Sequence, residues 1–348
     1  MAERIRIGVA GLGRIGWHFH CRALARHLDF TLAAVQDPEP ERRREAEATY
    51  GAAGYANFGA MLRDADLQAV VIATPTHLHR PMAEEALGSG CHVLLEKPMA
   101  QTLAEAEAIL DAATRHQRVL TIYQPHRAEA SFQHLCHLLA TGKIGQVYHV
   151  RRGMFSFARR NDWQSLRRYG GGMLNNYGAH ALDQVLQLVG YDVQRVFCNL
   201  RLVASLGDAE DVVKVLLETR QGVLGEVDIN QATAIQPYEL QVWGTRGAIT
   251  LQGGTLTLRY FRPEDLPPKA LDPHLASANR EYPSDPVPWQ EERIPVDPRL
   301  AVDVHANFAA AIREGAPLLV APHETVAVMR VIEQCRADAG AILHTGLA

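Results

Sequence analysis

Short apolar runs alternate with helix-period patterns through the first third of the chain. Ile5, Ile7 and Val9, with the small residues Gly8 and Ala10 between them, predict a short buried strand. A helical segment from Ile15 to Leu28 follows, then a strand from Thr31 to Val35 that ends at Asp37. Ala69 to Thr74 is an unbroken apolar run, as expected of a central parallel strand covered on both faces. A helix to about Gly88, a buried strand from His92 to Leu95, a helix from Leu103 to His116 and a strand from Val119 to Tyr123 complete the alternation. Strand–helix alternation of this kind predicts a doubly wound α/β unit with a parallel sheet.

Beyond residue 123 the pattern changes. A helical segment from Arg127 to Thr141 is closed by Gly142, and a strand begins over Val147 to Arg151. From Arg195 to Leu258 the chain shows β-type alternation with short glycine-containing turns, predicting five or six strands in a largely antiparallel sheet. Residues 262–299 hold nine of the eighteen prolines and predict a long irregular excursion, a lid, a subunit-contact arm or a mobile loop. Helices are predicted again at Val302 to Glu314 and Glu324 to Gly340. The chain of 348 residues is long for one core, and the change of pattern divides it into domains at 1–122 and 123–348.

Composition narrows the function classes. A net charge of -4 and a pI near 6.5 argue against a nucleic-acid binder and against a membrane-surface protein. No apolar run approaches the roughly 18 residues of a spanning helix. The N-terminus enters a strand pattern at once, without the shape of a signal peptide. Five scattered cysteines without a C-x-x-C pair suit reduced thiols, so a cytoplasmic location is expected.

The chemistry gathers at strand ends. Gly11, Gly13 and Gly16 stand at the G-x-G-x-x-G spacing after the first strand, with Arg14 and Ile15 opening a helix whose free N–H groups face a pyrophosphate. Asp37, about 20 residues beyond the last glycine, is placed to bond an adenosine ribose. A carboxylate there repels a 2′-phosphate, so NAD is expected over NADP. Arg42, Arg43 and Arg44 read as a solvated helix face, although a phosphate could also meet them. Thr74, Pro75 and His79 follow the third strand, and Glu96, Lys97 and Pro98 the fourth, where ligands of such sheets bind. His79 reads as a cofactor neighbour or as a helix-start residue. The H-x-H pairs at His18/His20 and His77/His79 lack a completing carboxylate cluster, and no metal is expected.

Downstream, Gly170–Gly172 precede a helical pattern that sets Asn176, His180 and Asp183 at i, i+4 and i+7 on one face. His180 is a candidate acid or base, and equally a candidate hydrogen-bonded core histidine. The preceding stretch, Phe155 to Tyr169, is aromatic and basic. It reads either as a sugar-stacking loop with Trp163 at its centre or as an exposed connector.

The segments GLGRIG, ATPTHLH, LEKPMAQTLAEAEAI, LLATGKIGQVYHVR and GGGMLNNYGAHALD, in this order, resemble the Gfo/Idh/MocA oxidoreductase family over essentially the whole chain. The resemblance implies an N-terminal Rossmann domain and a C-terminal α/β domain whose large open, mostly antiparallel sheet forms a homodimer or homotetramer interface. It implies oxidation or reduction of a secondary hydroxyl of a sugar, glycoside or cyclitol with NAD(P). By position it makes Lys97 the lysine that bonds the reacting oxygen, with a cis bond before Pro98, and His180 the general base or acid. Asn176 stands where many members have aspartate. The implied cofactor set is Gly11, Gly13, Arg14, Ile15, Gly16, Asp37, Thr74, Pro75, His79, Glu96 and Lys97, and the substrate set Lys97, Arg127, Trp163, Asn176 and His180. Two other functions fit the same residues: an NAD-retaining enzyme that oxidises a sugar transiently before elimination or hydrolysis, and a catalytically silent dinucleotide- or sugar-binding regulator.

Overall fold

Six strands, β1 (Ile5–Ala10), β2 (Phe30–Gln36), β3 (Ala53–Tyr55), β4 (Ala69–Ile72), β5 (His92–Glu96) and β6 (Leu120–Tyr123), pair in parallel in the order β3-β2-β1-β4-β5-β6. The computed structural model describes residues 3–273, 280 and 285–345. β4 is buried at every position because helices cover both faces of the sheet, which is why its sequence is apolar without alternation. The strand order reverses between β1 and β4, and a crevice opens at their carboxyl ends.

Local chemistry explains the flanking helices. Leu103–His116 starts at a reciprocal cap in which Thr102 accepts the Glu105 N–H and the Glu105 carboxylate accepts the Thr102 N–H, and Gln117 closes it at a φ of 52°. The helix after β1 is shorter and wider than expected. It runs as an i→i+5 segment, Gly16–Cys21, into Arg22–Leu24 and stops there. Leu28, 79% exposed, lies off the apolar stripe, so no packing holds a further turn.

The second sheet has nine strands: β7 (Val147–Phe155), β8 (Val193–Leu202), β9 (Val212–Thr219), β10 (Leu224–Asn230), β11 (Leu240–Gly244), β12 (Gly247–Gln252), β13 (Thr255–Tyr260), β14 (Gln290–Pro295) and β15 (Leu343–His344). Their order is β14-β13-β12-β11-β7-β10-β9-β8-β15, antiparallel except at β7–β10 and β8–β15. In β9, Val213, Val215 and Leu217 are buried while Val212, Lys214, Leu216 and Glu218 face outward. Helices Gly178–Val189 and Pro322–Ala339 cover the inner face. At Gly225 a Cβ would come within 2.7 Å of Val185, so the glycine lets the first of these helices lie close. On the strands, Tyr148, Phe197 and Leu216 remain exposed.

Two features depart from the sequence reading. The proline-rich stretch contains β14, an edge strand on β13, whose polar alternation carries no apolar period for a pattern search to find. Residues 274–279 and 281–284, where a lid or arm was expected, lie outside the described residues. The chain of the first layer, moreover, does not end at 122. Helix Val304–Glu314 returns to it, packing Val304 and Phe308 into the cluster of Ile5, Leu24 and Phe30, with the Phe30 and Phe308 rings stacked at 6.4 Å. Arg313 then ties the end of that helix to Asp29 and to the Glu3 carbonyl.

Candidate active site

The carboxyl ends of β1, β4 and β5 face the segment around Trp163 and Gly170–Asn176 across a cleft of about 870 Å³. The three loop glycines have distinct jobs. Gly11 takes a φ of 89°, and a Cβ there would lie 2.5 Å from the Ala73 carbonyl. At Gly16 a Cβ would fall 1.8 Å from the Gly11 carbonyl oxygen, so only glycine lets the helix approach the loop. At Gly13 a Cβ would meet nothing within 4 Å: the space is open toward the cleft, as a phosphate approaching the backbone needs. This open cradle, with Arg14 and Ile15 beside it, fits a dinucleotide.

Asp37 lines the cleft beside the glycine loop. Its Oδ2 accepts the Leu12 N–H at 2.8 Å and its Oδ1 the Glu39 N–H at 2.9 Å, which fixes the carboxylate against the glycine loop. Arg42 stays exposed, as expected of a solvated face, and also borders the cleft with Nη1 3.4 Å from Asp37 Oδ2. A run of three arginines cannot show which one borders the cleft; here Arg43 bonds the backbone carbonyls of Asp37 and Pro38.

Thr74 and Pro75 line the cleft, as do Glu96 and Lys97. The bond between Lys97 and Pro98 is cis. His79 does not line it. The ring is buried, its nitrogens 3.0 Å from the carbonyls of Pro98 and Thr74, so it clamps the two strand-end loops together, and His77 reaches the cleft instead. Starting the helix His79–Gly88 turns His79 inward, which the motif alone does not show.

At the centre, Lys97 Nζ donates to Asn176 Oδ1 at 2.9 Å and to the Asn176 carbonyl at 3.0 Å. Burial lowers the Lys97 ammonium to about 8; Glu96 opposes this, and Arg160 and Arg14 add to it. Asn176 also donates to Gln164, which Arg160 holds. Trp163 stands half-exposed at the rim, so the aromatic stretch borders the cleft. The helical pattern is broken at Tyr177 into Met173–Asn176 and Gly178–Val189, and only Asn176 of the expected triad lines the cleft.

His180 lies behind it, 5% exposed, edge-on to His126 at 4.4 Å between centroids. Its Nδ1 is 2.6 Å from Gln124 Oε1, while the Gln124 amide donates to the Ala179 carbonyl. Nδ1 therefore carries the proton and Nε2 the lone pair. Burial, then the Lys97 charge, drive the imidazole well below its usual range, so it is neutral. Gln124 escaped the sequence reading because its only signal is a polar residue directly after the last strand of the first sheet. Asp183 does not orient His180.

Arg127, expected to bind substrate, does not line the cleft. It is buried, with Nε and Nη2 on the Asp183 carboxylate and Nη1 on Glu324 and the Leu319 carbonyl, so its strong donors are used inside the protein. Among the described residues no group of three His, Cys, Asp or Glu is placed to hold a metal ion, and no helix is long and apolar enough to cross a membrane.

Residues 5–124 match the oxidoreductase family with an NAD-binding Rossmann fold, and residues 132–250 match the GFO/IDH/MocA C-terminal domain. The chain belongs to the Gfo/Idh/MocA family. The matched family is one of oxidoreductases with an NAD-binding fold. Among its relatives, an uncharacterised oxidoreductase of Schizosaccharomyces pombe is 28% identical over 61% of this chain, which spans 59% of that protein. Myo-inositol 2-dehydrogenase of Thermotoga maritima is 27% identical, over 70% of this chain and 74% of the relative. The fold is shared with GenD2 from gentamicin A biosynthesis, solved in complex with NAD, at a TM-score of 0.79 and 24% identity over 98% of this chain and 95% of that one.

Proposed function

We propose that this Gfo/Idh/MocA protein transfers a hydride between NAD and a secondary hydroxyl of a sugar, glycoside or cyclitol. The observation that carries the reading is Lys97, held by Asn176 inside the dinucleotide cleft with its ammonium lowered to about 8. When bound, NAD supplies the hydride acceptor or donor. Lys97 meets the reacting oxygen: as a neutral amine it takes the hydroxyl proton in oxidation, and as an ammonium it polarises the carbonyl in reduction. His180 was expected to take that proton, but its burial hands the contact to Lys97 and leaves the imidazole as a neutral neighbour acting through it. Asn176 positions Lys97, and Trp163 offers an aromatic face for a pyranose or cyclitol ring. Kinship with a myo-inositol 2-dehydrogenase supports the cyclitol and sugar class. Tyr148, Phe197 and Leu216 support an interface between copies on the open sheet face, in a dimer or tetramer.

The test is a panel of polyols, aldoses and glycosides with NAD, reading reduced NAD released to solution. Lys97→Met should lower turnover by about 10²-fold or more with NAD affinity little changed. Equal turnover in the variant overturns the assignment. Asn176, an amide that cannot ionise, favours one second reading, in which NAD stays bound and is reduced only transiently; product without free reduced NAD would select it.

A further inference from the structure

A buried row of titratable groups leads away from the cleft, and the mechanism above does not use it. Glu96 lines the cleft beside Lys97. Its Oε1 lies 2.9 Å from His20 Nε2, and His20 Nδ1 lies 3.1 Å from His305 Nε2. His305 Nδ1 faces Asp303 at 3.8 Å, and the Asp303 side chain is 57% exposed, so solvent reaches this end and a water can close the gap. His20 is fully buried and His305 nearly so. The row thus starts in the cleft, crosses between the helix after β1 and helix Val304–Glu314, and ends in water.

We propose that Glu96, His20, His305 and Asp303 form a relay that exchanges protons between the cleft and bulk solvent. The inference rests on the reading that oxidation releases a proton in the cleft. Before an outward transfer His20 and His305 each carry their proton on Nδ1, so that His20 Nδ1–H donates to His305 Nε2 and the bare His20 Nε2 faces Glu96. When Glu96 has gained a proton from the cleft, three bonds shift together. The Glu96 hydroxyl proton moves to His20 Nε2, the His20 Nδ1 proton moves to His305 Nε2, and the His305 Nδ1 proton leaves for Asp303 or its water, which leaves Glu96 ionised and bonded by His20 Nε2–H. Running forward or backward, one proton crosses, no electrons move and each ring begins and ends neutral.

The surroundings agree with neutral carriers. Burial, then the neighbouring His20, lowers His305 to about 3. Burial opposes but does not outweigh the backbone N–H of Ala306, His27 and His305 in keeping Asp303 below its usual range. Tyr123, in ring contact with both histidines, is pushed up to about 12 by burial, then by Glu96 and Asp303, and stays a phenol. The remaining charged or titratable neighbours are Lys97 and His79 at the Glu96 end, and His27, 3.4 Å from Asp303, at the surface end.

Two substitutions keep the structure and break the conduction. His305→Gln still offers an amide to His20 but cannot pass a proton. Asp303→Asn retains an N-cap for the helix Val304–Glu314, whose His305 and Ala306 N–H groups the residue accepts. The measurement is solvent exchange of the His20 ring proton by NMR on the full chain labelled with ¹⁵N-histidine, without any substrate. Exchange through the relay should slow about tenfold or more in each variant, whereas exchange by local opening would not. Unchanged exchange in the two folded variants overturns the relay. Turnover with NAD on the best polyol of the panel is read in parallel: His305→Gln should lower kcat while leaving KM for NAD unchanged, with partial recovery in high buffer concentrations. Should no polyol be oxidised, the hydride-transfer reading fails while the exchange experiment still decides the relay.

Discussion

At the scale of single residues, the Lys97–Asn176 contact sets the pH response. With the ammonium lowered to about 8, oxidation should rise as one proton leaves near that pH. Asn176→Asp puts a carboxylate on the same Nζ. An opposite charge favours the charged amine, raises its pKa and moves the rise in kcat/KM to higher pH; initial rates from pH 6 to 10 measure the shift, each unit being about 1.4 kcal/mol of added interaction. An unmoved profile would exclude Lys97 as the titrating group. Asp37→Ala removes the carboxylate proposed to accept from the ribose and leaves Arg42 at the same edge of the cleft. NAD affinity should fall by roughly tenfold or more while relative NADP affinity rises, measured by binding titration of both. Residues whose place follows from the backbone were legible in the sequence: the glycines, Asp37 and Lys97 all sit at strand ends. His79 was misplaced because the start of its helix turns the ring onto the Thr74 and Pro98 carbonyls, and Arg127 because its direction depends on distant partners. Arg127 meets Asp183 and Glu324, 56 and 197 residues away.

At the scale of elements, the glycine loop separates folding from binding within six residues. Gly13→Ala adds a methyl group to open space, so the protein should keep its melting temperature and lose NAD affinity. Gly16→Ala drives a methyl group onto the Gly11 carbonyl, so the loop must shift and stability should fall by about 1–3 kcal/mol or more. Thermal melts with and without NAD distinguish the two. Strong periodicity made most elements legible, Leu103–His116 among them to the residue. β14 was not, since an edge strand of alternating polar residues has no apolar period, and β3 is only three residues long.

At the scale of the whole molecule, buried Arg127 joins three distant parts of the chain: the segment after β6, the helix Gly178–Val189 and the helix Pro322–Ala339. Arg127→Met strands two carboxylates without their partner and should cost about 3–5 kcal/mol of stability. Denaturant unfolding checks the loss. KM for the substrate should stay near its native value in protein that remains folded, opposite to what a substrate ligand would show. The open sheet face gives a further expectation: light scattering should find a dimer or tetramer, and charged residues at Phe197 and Leu216 should dissociate it.

The return of helix Val304–Glu314 to the first sheet also bears on how the protein is made. As the chain leaves the ribosome, β1 to β6 are available early, but the cover over Ile5 and Phe30 is not yet synthesised. At about 5–20 residues per second, the roughly 180 residues between Tyr123 and Val304 take on the order of ten to forty seconds. Throughout that interval the nascent N-terminal layer carries a bare apolar face. A chaperone that binds such faces has its natural window there, and a fragment ending near residue 123 would carry the same exposed face permanently.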